Sequence, residues 1–324
     1  MRLGRKKMDK NCRIIIMDEN MLCNAIKKQL ENYGYNNVKL WNNIDLKNEK
    51  EVINAFEKDK PEIIFCFAGP HGGIRANMEH SAEFLYENIK IQNNIIHNAY
   101  VYSVKKMIFM TGACVYPKEC RQPIQEDDFM TGKMEETSRA YSTAKAVGIE
   151  MCIAYNKQYG TDFVPVPICN YYGRGDDFSE SGHVLANIIR KVDNAKINGS
   201  EYVKLYGTGR PIRQFMHVDD VAKAAILIMD KYNKKDIINI GGGQEISIFD
   251  LAQIVKKIED YSGQIIFDST KPDGTMKKVC DGTKLIELGF ETEYTLKEGI
   301  ENVYEWYVNK MRSEINLGGY YDNN

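Results

Sequence analysis

Tyr141 and Lys145 lie four residues apart in a stretch whose pattern predicts a helix. Residues at this spacing share one helix face, so the phenol and the ammonium are expected to be neighbours. A phenol ordinarily titrates at about pH 10, and a nearby ammonium is expected to lower the pKa of Tyr141. The pair therefore predicts a general acid or base that acts at a carbonyl or alcohol carbon. Pattern alone also allows an exposed helix pair without chemistry, so the surrounding sequence must decide.

The elements that must position this pair alternate between strand and helix through the first half of the chain. Short apolar runs predict strands over 13–17, 38–41, 63–67, 107–110 and 163–166, and helical periodicity lies between them, most clearly over 84–100 and 141–159. This alternation is typical of an α/β fold, with a Rossmann-like, doubly wound parallel sheet that carries helices on both faces. Ligands of such folds bind at the carboxyl ends of the strands.

The second half of the chain predicts a smaller C-terminal α/β lobe above the carboxyl edge of the sheet. Strands are predicted over 202–206, 215–218, 237–240 and 265–267, and helices over 183–195, 219–229, 248–258 and 296–307. We therefore expect a first domain over 11–170 and a lobe over 171–310, some of whose helices return to cover the first sheet. A basic leader over 1–10 and a tail over 311–324 are expected to be flexible.

Composition excludes several classes of protein. The 45 acidic and 43 basic residues nearly balance, so neither nucleic acid nor a membrane surface is expected as a partner. No apolar run approaches the roughly 18 residues that span a bilayer. The eight cysteines are scattered without a CxxC pair, so neither a metal site nor a disulfide framework is predicted. Such cysteine usage fits a reducing compartment, and we expect a cytoplasmic protein.

Further motifs combine with the Tyr141 segment into a specific pattern between about residues 13 and 307. They are Gly72-Gly73-Ile74-Arg75-Ala76-Asn77, Cys114-Val115-Tyr116-Pro117-Lys118, Asn170-Tyr171-Tyr172-Gly173, Ser181-Gly182-His183, Gly207-Thr208-Gly209, Arg213-Gln214-Phe215-Met216-His217-Val218-Asp219-Asp220 and Lys271-Pro272-Asp273-Gly274-Thr275. With these motifs the chain resembles the extended short-chain dehydrogenase/reductases, the NAD-dependent epimerase/dehydratase family. Among them it is most similar to the GDP-L-fucose synthases.

The resemblance implies an enzyme that acts on a nucleotide-diphosphate sugar, GDP-linked in this group, whose ring carries a ketone at C4. It assigns proton exchange at C3 and C5 to Cys114 and His183. It assigns proton donation at the C4 oxygen to Tyr141, with Lys145 beside it. A thiolate and an imidazole suit such proton transfers near neutral pH. The alternatives are a small buried thiol and an uninvolved loop histidine.

Other positions carry over as binding residues. The resemblance implies substrate contacts from Asn170, Lys191, Tyr206, Arg213 and Lys271, with the cations facing the diphosphate or the sugar. Tyr206 stands where the family often has tryptophan, so stacking on guanine is expected to be weaker, and Lys191 also fits a solvated helix face. NADP or NAD is implied as the cofactor of the first domain, held by these residues: Asp45, Leu46, Ala68, Gly69, Tyr141, Lys145, Ile168 and His183.

The turn after the first strand departs from the family pattern. A dinucleotide-binding turn carries glycines that allow the bend, the approach of the pyrophosphate and the packing of the helix. Met17, Asn20 and Cys23 stand at those three positions, and Asp18 and Glu19 lie between them. Side chains and two like charges thus oppose ordinary dinucleotide binding, since like charges at about 4 Å repel by roughly 1 to 4 kcal/mol.

Two further departures concern the hydride-transfer apparatus. The family places a catalytic serine where this chain has Gly112, and the neighbouring Thr111 is expected to point away if the strand continues through it. The arginine that would meet an adenosine 2′-phosphate is not evident in Trp41-Asn42-Asn43, although Asp45-Leu46 persists where the family binds adenine.

Three functional hypotheses follow. The first is an epimerase/reductase that uses a nicotinamide cofactor through an altered turn. The second is an epimerase that inverts a 4-keto sugar nucleotide without NADP(H). The third is a non-catalytic paralogue that acts as a partner or regulator. By analogy a homodimer is expected, formed through the helices over 84–100 and 141–159.

Overall fold

A computed structural model gives the fold and describes residues 8–180, 182–271 and 273–318. Most of the predicted basic leader and the last six residues of the predicted tail, 319–324, lie outside the described residues. The final helix continues to Gly318, so it crosses the boundary at residue 310 beyond which a flexible tail was predicted.

The central sheet has five parallel strands in the order β2-β1-β3-β4-β5. The strands are β1 (Ile14–Met17), β2 (Val38–Trp41), β3 (Ile63–Cys66), β4 (Lys106–Gly112) and β5 (Phe163–Ile168). Strands β1 and β3 are buried along their whole length, because helices cover both faces of a parallel sheet. The strand order reverses between β1 and β3, which is where ligands of doubly wound sheets bind.

Helices of the first domain form two layers. They are α1 (Met21–Asn32), α2 (Glu49–Asp59), α3 (Ile74–Glu79), α4 (Ser81–Val101) and α5 (Arg139–Tyr159). Helix α4 packs against α2 and α5, whereas α1 packs against α7 (Val218–Lys231) of the second half. The apolar side chains of α7 belong to the same core as the central sheet, so the chain returns to the first domain to complete it.

The segment 237–240 does not form the predicted strand. Its backbone runs beside β5 and donates from Ile238 and Ile240 to the carbonyls of Pro165 and Pro167, at 3.1 and 2.8 Å. Only one residue pair, Ile168 and Ile240, meets the geometry of a β-bridge. The prediction was wrong because both prolines face this edge without an N–H, which removes the return hydrogen bonds of a parallel ladder.

The second half forms a smaller lobe with its own apolar core. Its strands are β6 (Asn170–Tyr172), β7 (Tyr202–Tyr206), β8 (Ile212–His217), β9 (Gln244–Ser247), β10 (Gln264–Asp268) and β11 (Lys277–Lys278). Its other helices are α6 (Val184–Ile197), α8 (Ile248–Ile258), α9 (Thr283–Glu287) and α10 (Leu296–Gly318). Strands β6, β9 and β11 pair with β8, and β10 pairs with β7. Among the described residues no helix is long and apolar enough to cross a membrane.

Candidate active site

A cavity of about 260 Å³ lies between the central sheet and the smaller lobe. Its wall contains Cys114, Tyr141 and His183, which come from three separate stretches of the chain. The structure therefore brings together the thiol, the phenol and the imidazole that the sequence singled out. Ile168, predicted as a cofactor contact, also lines this cavity.

Close packing of α5 on β4 brings Tyr141 to the cavity and holds Lys145 behind it, outside the cavity wall. Gly148 lies against the ring of Phe109, and any Cβ at this position would collide with that ring. Lys145 donates from Nζ to the carbonyl of Ala68 at 2.8 Å, at the end of β3. Its ammonium lies 5.7 Å from the centre of the Tyr141 ring, so the two residues are neighbours, as the helix spacing predicted.

The predicted effect of Lys145 on Tyr141 is wrong for this site. Burial raises the pKa of Tyr141 well above its ordinary value, and burial lowers the pKa of Lys145 to about 8. The reason is that both groups are removed from water, which disfavours the charged form of each. Tyr141 is therefore a protonated phenol at neutral pH and is suited to donate a hydrogen bond or a proton to a ketone oxygen.

The end of β4 presents Cys114 to the cavity. The strand ends at Gly112, and a single 3₁₀ turn from Ala113 to Val115 follows. The sulfur of Cys114 lies 3.8 Å from the carbonyl oxygen of Gly112. Thr111 is fully buried and its hydroxyl contacts the same carbonyl at 3.4 Å, so it does not replace the missing serine hydroxyl in the cavity.

His183 sits at the start of α6, where its imidazole opens into the cavity. Its Nδ1 lies 3.6 Å from the carboxylate of Asp176. This carboxylate raises the pKa of His183, against the effect of burial. The imidazole therefore holds a proton to a higher pH than a free histidine does, which suits it to return a proton to carbon.

Sequence reasoning missed several charged or titratable groups of this cavity, among them His71, Lys278, Glu135 and Asp176. The ring of His71 stacks on that of His183, with centres 6.4 Å apart, and its Nδ1 lies 3.1 Å from the carbonyl of Gly69. Burial lowers the pKa of His71. Lys278 ends β11 near Cys114 and Arg213, and burial lowers its pKa too. The position of His71 just after β3 was the one available signal.

A second cavity of about 450 Å³ adjoins the first, and Asn170, His183 and Arg213 line both. Asn170 donates to the backbone carbonyl of Gln214 at 3.3 Å, and Arg213 donates to the carbonyl of Ile212 at 2.9 Å. These two predicted substrate residues therefore stand where the two cavities meet.

The other three predicted substrate residues lie together, and two of them, Lys191 and Tyr206, line the second cavity. The ammonium groups of Lys191 and Lys271 lie 5.0 and 5.7 Å from the centre of the Tyr206 ring. Lys191 also donates to the carbonyl of Lys204 at 3.2 Å, so it does not simply extend into solvent. An aromatic ring flanked by two cations is an arrangement that suits a nucleotide base and its phosphates.

Comparison with known proteins bears directly on this geometry. The model of the NAD dependent epimerase/dehydratase family matches residues 6–241. The chain belongs to this family. It is 38% identical over 307 residues to GDP-L-fucose synthase 1 of Arabidopsis thaliana, covering 94% of this chain and 95% of that one. It is 35% identical over 300 residues to GDP-L-fucose synthase of Escherichia coli, covering 89% and 94%. The resemblance predicted from the motifs is thereby confirmed.

A solved structure of the family gives the same result. The fold matches a GDP-mannoheptose C4 reductase from Campylobacter jejuni with NADP bound, at a TM-score of 0.84 and 34% identity, covering 93% of this chain and 99% of that one. The predicted Rossmann-like α/β class is confirmed by this match. The family description and the NADP of this neighbour together support a nicotinamide cofactor for proteins of this fold.

The turn between β1 and α1 does not fit a pyrophosphate in the ordinary way. Such turns bind anions through free backbone N–H groups at the start of the helix. Here the carboxylate of Asp18 accepts from the N–H of Glu19 at 2.7 Å, and the amide oxygen of Asn20 accepts from the N–H of Cys23 at 3.0 Å. Met17 and Cys23 are fully buried in this turn. The amide nitrogen of Asn20 is enclosed by protein and has no hydrogen-bond partner there.

The remaining predicted cofactor residues divide into two groups. Ala68 and Gly69 lie at the end of β3, where Ala68 accepts the hydrogen bond from Lys145. Asp45 and Leu46 lie in the loop after β2, apart from the residues that line the cavity. Their part in binding a dinucleotide stays a prediction. In the part of the chain that the structure describes, no cluster of His, Cys, Asp and Glu could hold a metal ion.

Proposed function

We propose that the protein acts on a GDP-linked 4-keto-6-deoxy-hexose, or on a related heptose, and exchanges the protons at C3 and C5. The observation that supports this most is the meeting of Cys114, Tyr141 and His183 around one cavity. Named relatives include GDP-L-fucose synthases and a GDP-mannoheptose C4 reductase. In this proposal the sugar ring occupies the first cavity and the nucleotide occupies the second.

The chemistry follows from the ketone at C4. The carbonyl acidifies the hydrogens on C3 and C5, because the electron pair released by either C–H bond becomes an enolate. One of Cys114 and His183 removes the proton and the other returns a proton to the carbon, which inverts the centre when the two act from opposite faces. Tyr141 donates a hydrogen bond to the oxygen that carries the developing charge, and this is the kind of interaction that stabilises an enolate.

Nucleotide binding in this proposal relies on cations around the second cavity. Arg213 stands where the cavities meet, and a guanidinium can bind a diphosphate through two parallel hydrogen bonds. Lys191 and Lys271 would neutralise the outer phosphate or hold the ribose, on either side of Tyr206. Tyr206 would stack on the guanine, and the ring is 68% exposed and therefore open to a base.

Reduction of the C4 ketone is the second candidate. The observation that favours it is the protonated phenol of Tyr141 beside Lys145, an arrangement that can supply a proton to the C4 oxygen. The Campylobacter neighbour is named a C4 reductase and has NADP bound, so NADP rather than NAD is the cofactor of this candidate. The misfit at the turn after β1 weighs against it.

The proposal is tested by incubating the protein with GDP-4-keto-6-deoxymannose in deuterium oxide and following deuterium at C3 and C5 by mass spectrometry. We expect Cys114→Ser to slow the exchange by about 100-fold or more, the usual contribution of a positioned acid or base. Cys120→Ser is the matched control, because Cys120 contacts the carbonyl of Pro117 at 3.3 Å outside the cavity wall. Exchange by Cys114→Ser at the wild-type rate would contradict the assignment. Absence of exchange in the wild type would favour the non-catalytic paralogue.

The proposal also includes a homodimer and a cytoplasmic location. Exposed apolar side chains on the outer side of α4 and α5 support the dimer: Tyr86, Val101, Val147 and Tyr159. Light scattering of the purified protein checks this part, and a monomeric mass at micromolar concentration would contradict it. The eight cysteines are all free thiols in the structure, which is compatible with a reducing compartment.

A further inference from the structure

We infer that this protein carries out the proton-transfer half of the reaction without a nicotinamide cofactor, inverting a carbon of the 4-keto sugar nucleotide and leaving the ketone in place. The inference rests on the proposed function and specifies which part of it survives in this chain. Two separate regions of the structure support it, the turn between β1 and α1 and the end of β4.

The side chains at the three glycine positions are integral to the fold. Met17 and Cys23 have no exposed surface, and the thiol of Cys23 points to the carbonyl of Met17 at 3.4 Å. Asn20 caps α1 by accepting from Cys23. A pyrophosphate that used the N–H of Cys23 would have to break this cap, whereas a glycine turn offers its N–H groups without rearrangement.

Charge opposes a phosphate at the same place. The backbone of Asp18 lies in the left-handed region, with a φ of 85°. Its carboxylate raises the pKa of Lys145 slightly, against the larger effect of burial. Glu19 accepts from the amide of Asn42, in the loop after β2, at 2.7 Å. One like charge at about 4 Å weakens binding by about fivefold in a water-like medium and by about a thousandfold in a half-buried one.

The end of β4 independently lacks a group that hydride transfer to a ketone uses. A hydroxyl beside the tyrosine would share in binding the ketone oxygen, but Gly112 has no side chain to offer one. The hydroxyl of Thr111 is engaged with a backbone carbonyl and is fully buried. In contrast, Cys114, only two residues further on, does reach the cavity.

Epimerisation balances without any oxidant or reductant. A base removes a proton from C3 or C5 while the C–H electron pair forms the enolate. The enolate then takes a proton from the acid, the C4 carbonyl reforms, and the base and acid recover their states by exchange with water. The product still carries its ketone, so a separate enzyme of the reductase class must consume it.

Two measurements on the full-length protein separate this inference from the proposed function. The first is a calorimetric titration with NADPH and with NADP⁺, using the Campylobacter jejuni GDP-mannoheptose C4 reductase, whose structure has NADP bound, as the positive control. The second is deuterium incorporation into GDP-4-keto-6-deoxymannose with and without NADPH, together with the absorbance of NADPH. We expect no saturable binding up to millimolar nucleotide, exchange at the same rate in both samples, and no loss of NADPH absorbance.

The outcomes are distinguishable. Saturable binding of NADPH or NADP⁺ in the micromolar range, or consumption of NADPH, overturns the inference. If deuterium exchange is still observed in that case, the proposed function stands. Exchange only in the presence of NADPH overturns it as well. Absence of exchange in every sample removes the proposed function and the inference with it. Cys114→Ser serves as the folded, exchange-deficient control, and it should match the wild type in the titration.

Discussion

Replacement of Lys278 offers the sharpest test of the cavity, because it should stabilise the fold and weaken substrate binding. The residue ends β11 and lines the first cavity near Cys114 and Arg213. Among the described residues its ammonium makes no hydrogen bond or ion pair. Burial lowers its pKa, so the surrounding cavity disfavours the charge when no substrate is bound.

Replacement of Lys278 by methionine keeps most of the aliphatic stem and removes only the unpaired ammonium. A polar group enclosed without a partner costs about 1–3 kcal/mol, so the free energy of unfolding of Lys278→Met should rise by about that amount. An unfolding entropy of about 2.1 cal/mol/K per residue over 324 residues gives about 1.5 °C per kcal/mol, hence a Tm higher by about 1.5–4.5 °C. The KM for the sugar nucleotide should rise by about 10- to 100-fold, because a charge-assisted contact is lost.

Thermal unfolding followed by circular dichroism and the exchange assay together measure both effects. The matched control is Lys277→Met, one residue earlier, where the ammonium is well exposed and pairs with Glu245 at 3.0 Å. This variant should change stability by less than about 1 kcal/mol and leave KM unchanged. The reasoning is refuted if Lys278→Met is less stable than the wild type. It is also refuted if both Lys278→Met and Lys277→Met keep the wild-type KM.

Three further outcomes are expected. Asp176→Asn should move the alkaline limb of the exchange-rate profile to lower pH, because Asp176 raises the pKa of His183; an unmoved limb would argue against His183 as the acid. Arg213→Met should raise KM by about 10- to 100-fold with little change in kcat, and an unchanged KM would remove Arg213 from the diphosphate. The pKa of Lys145 falls from 10.5 to about 8 on folding, so between these values the unfolded chain binds more protons. In urea unfolding, the free energy of unfolding of the wild type minus that of Lys145→Met should therefore rise by about 1.4 kcal/mol per pH unit between about pH 8 and 10.5. A difference that does not change with pH would contradict this.

Most of the fold could be predicted from local patterns. The five strands of the central sheet, the strand over 202–206 and the helix over 248–258 all appear near their predicted places, because each has strong periodicity or a continuous apolar run. The segment over 237–240 has the same apolar character and yet fails as a strand. Its outcome depends on Pro165 and Pro167 of its neighbour, which a local pattern cannot include.

The candidate site divides in the same way. Cys114 and His183 could be found because each stands in a recognisable motif beside the end of a strand or the start of a helix. Lys278 could not, since its place in the cavity depends on pairing between β11 and β8, far apart along the chain. The sign of the pKa shift of Tyr141 was also beyond the sequence, because it depends on how fully the phenol and Lys145 are removed from water.

The energetic character of the first cavity argues against a protein that merely pairs with an active subunit. Lys278 holds a charge that burial opposes, and His71 holds an imidazole whose pKa burial lowers. Apolar side chains at these positions would make a more stable scaffold, since enclosed polar groups without full partners cost free energy. Groups that lower the stability of a fold are expected where a ligand or a reaction uses them. At the turn after β1, by contrast, Met17 and Cys23 are fully buried and the side-chain oxygen of Asn20 is used to cap α1.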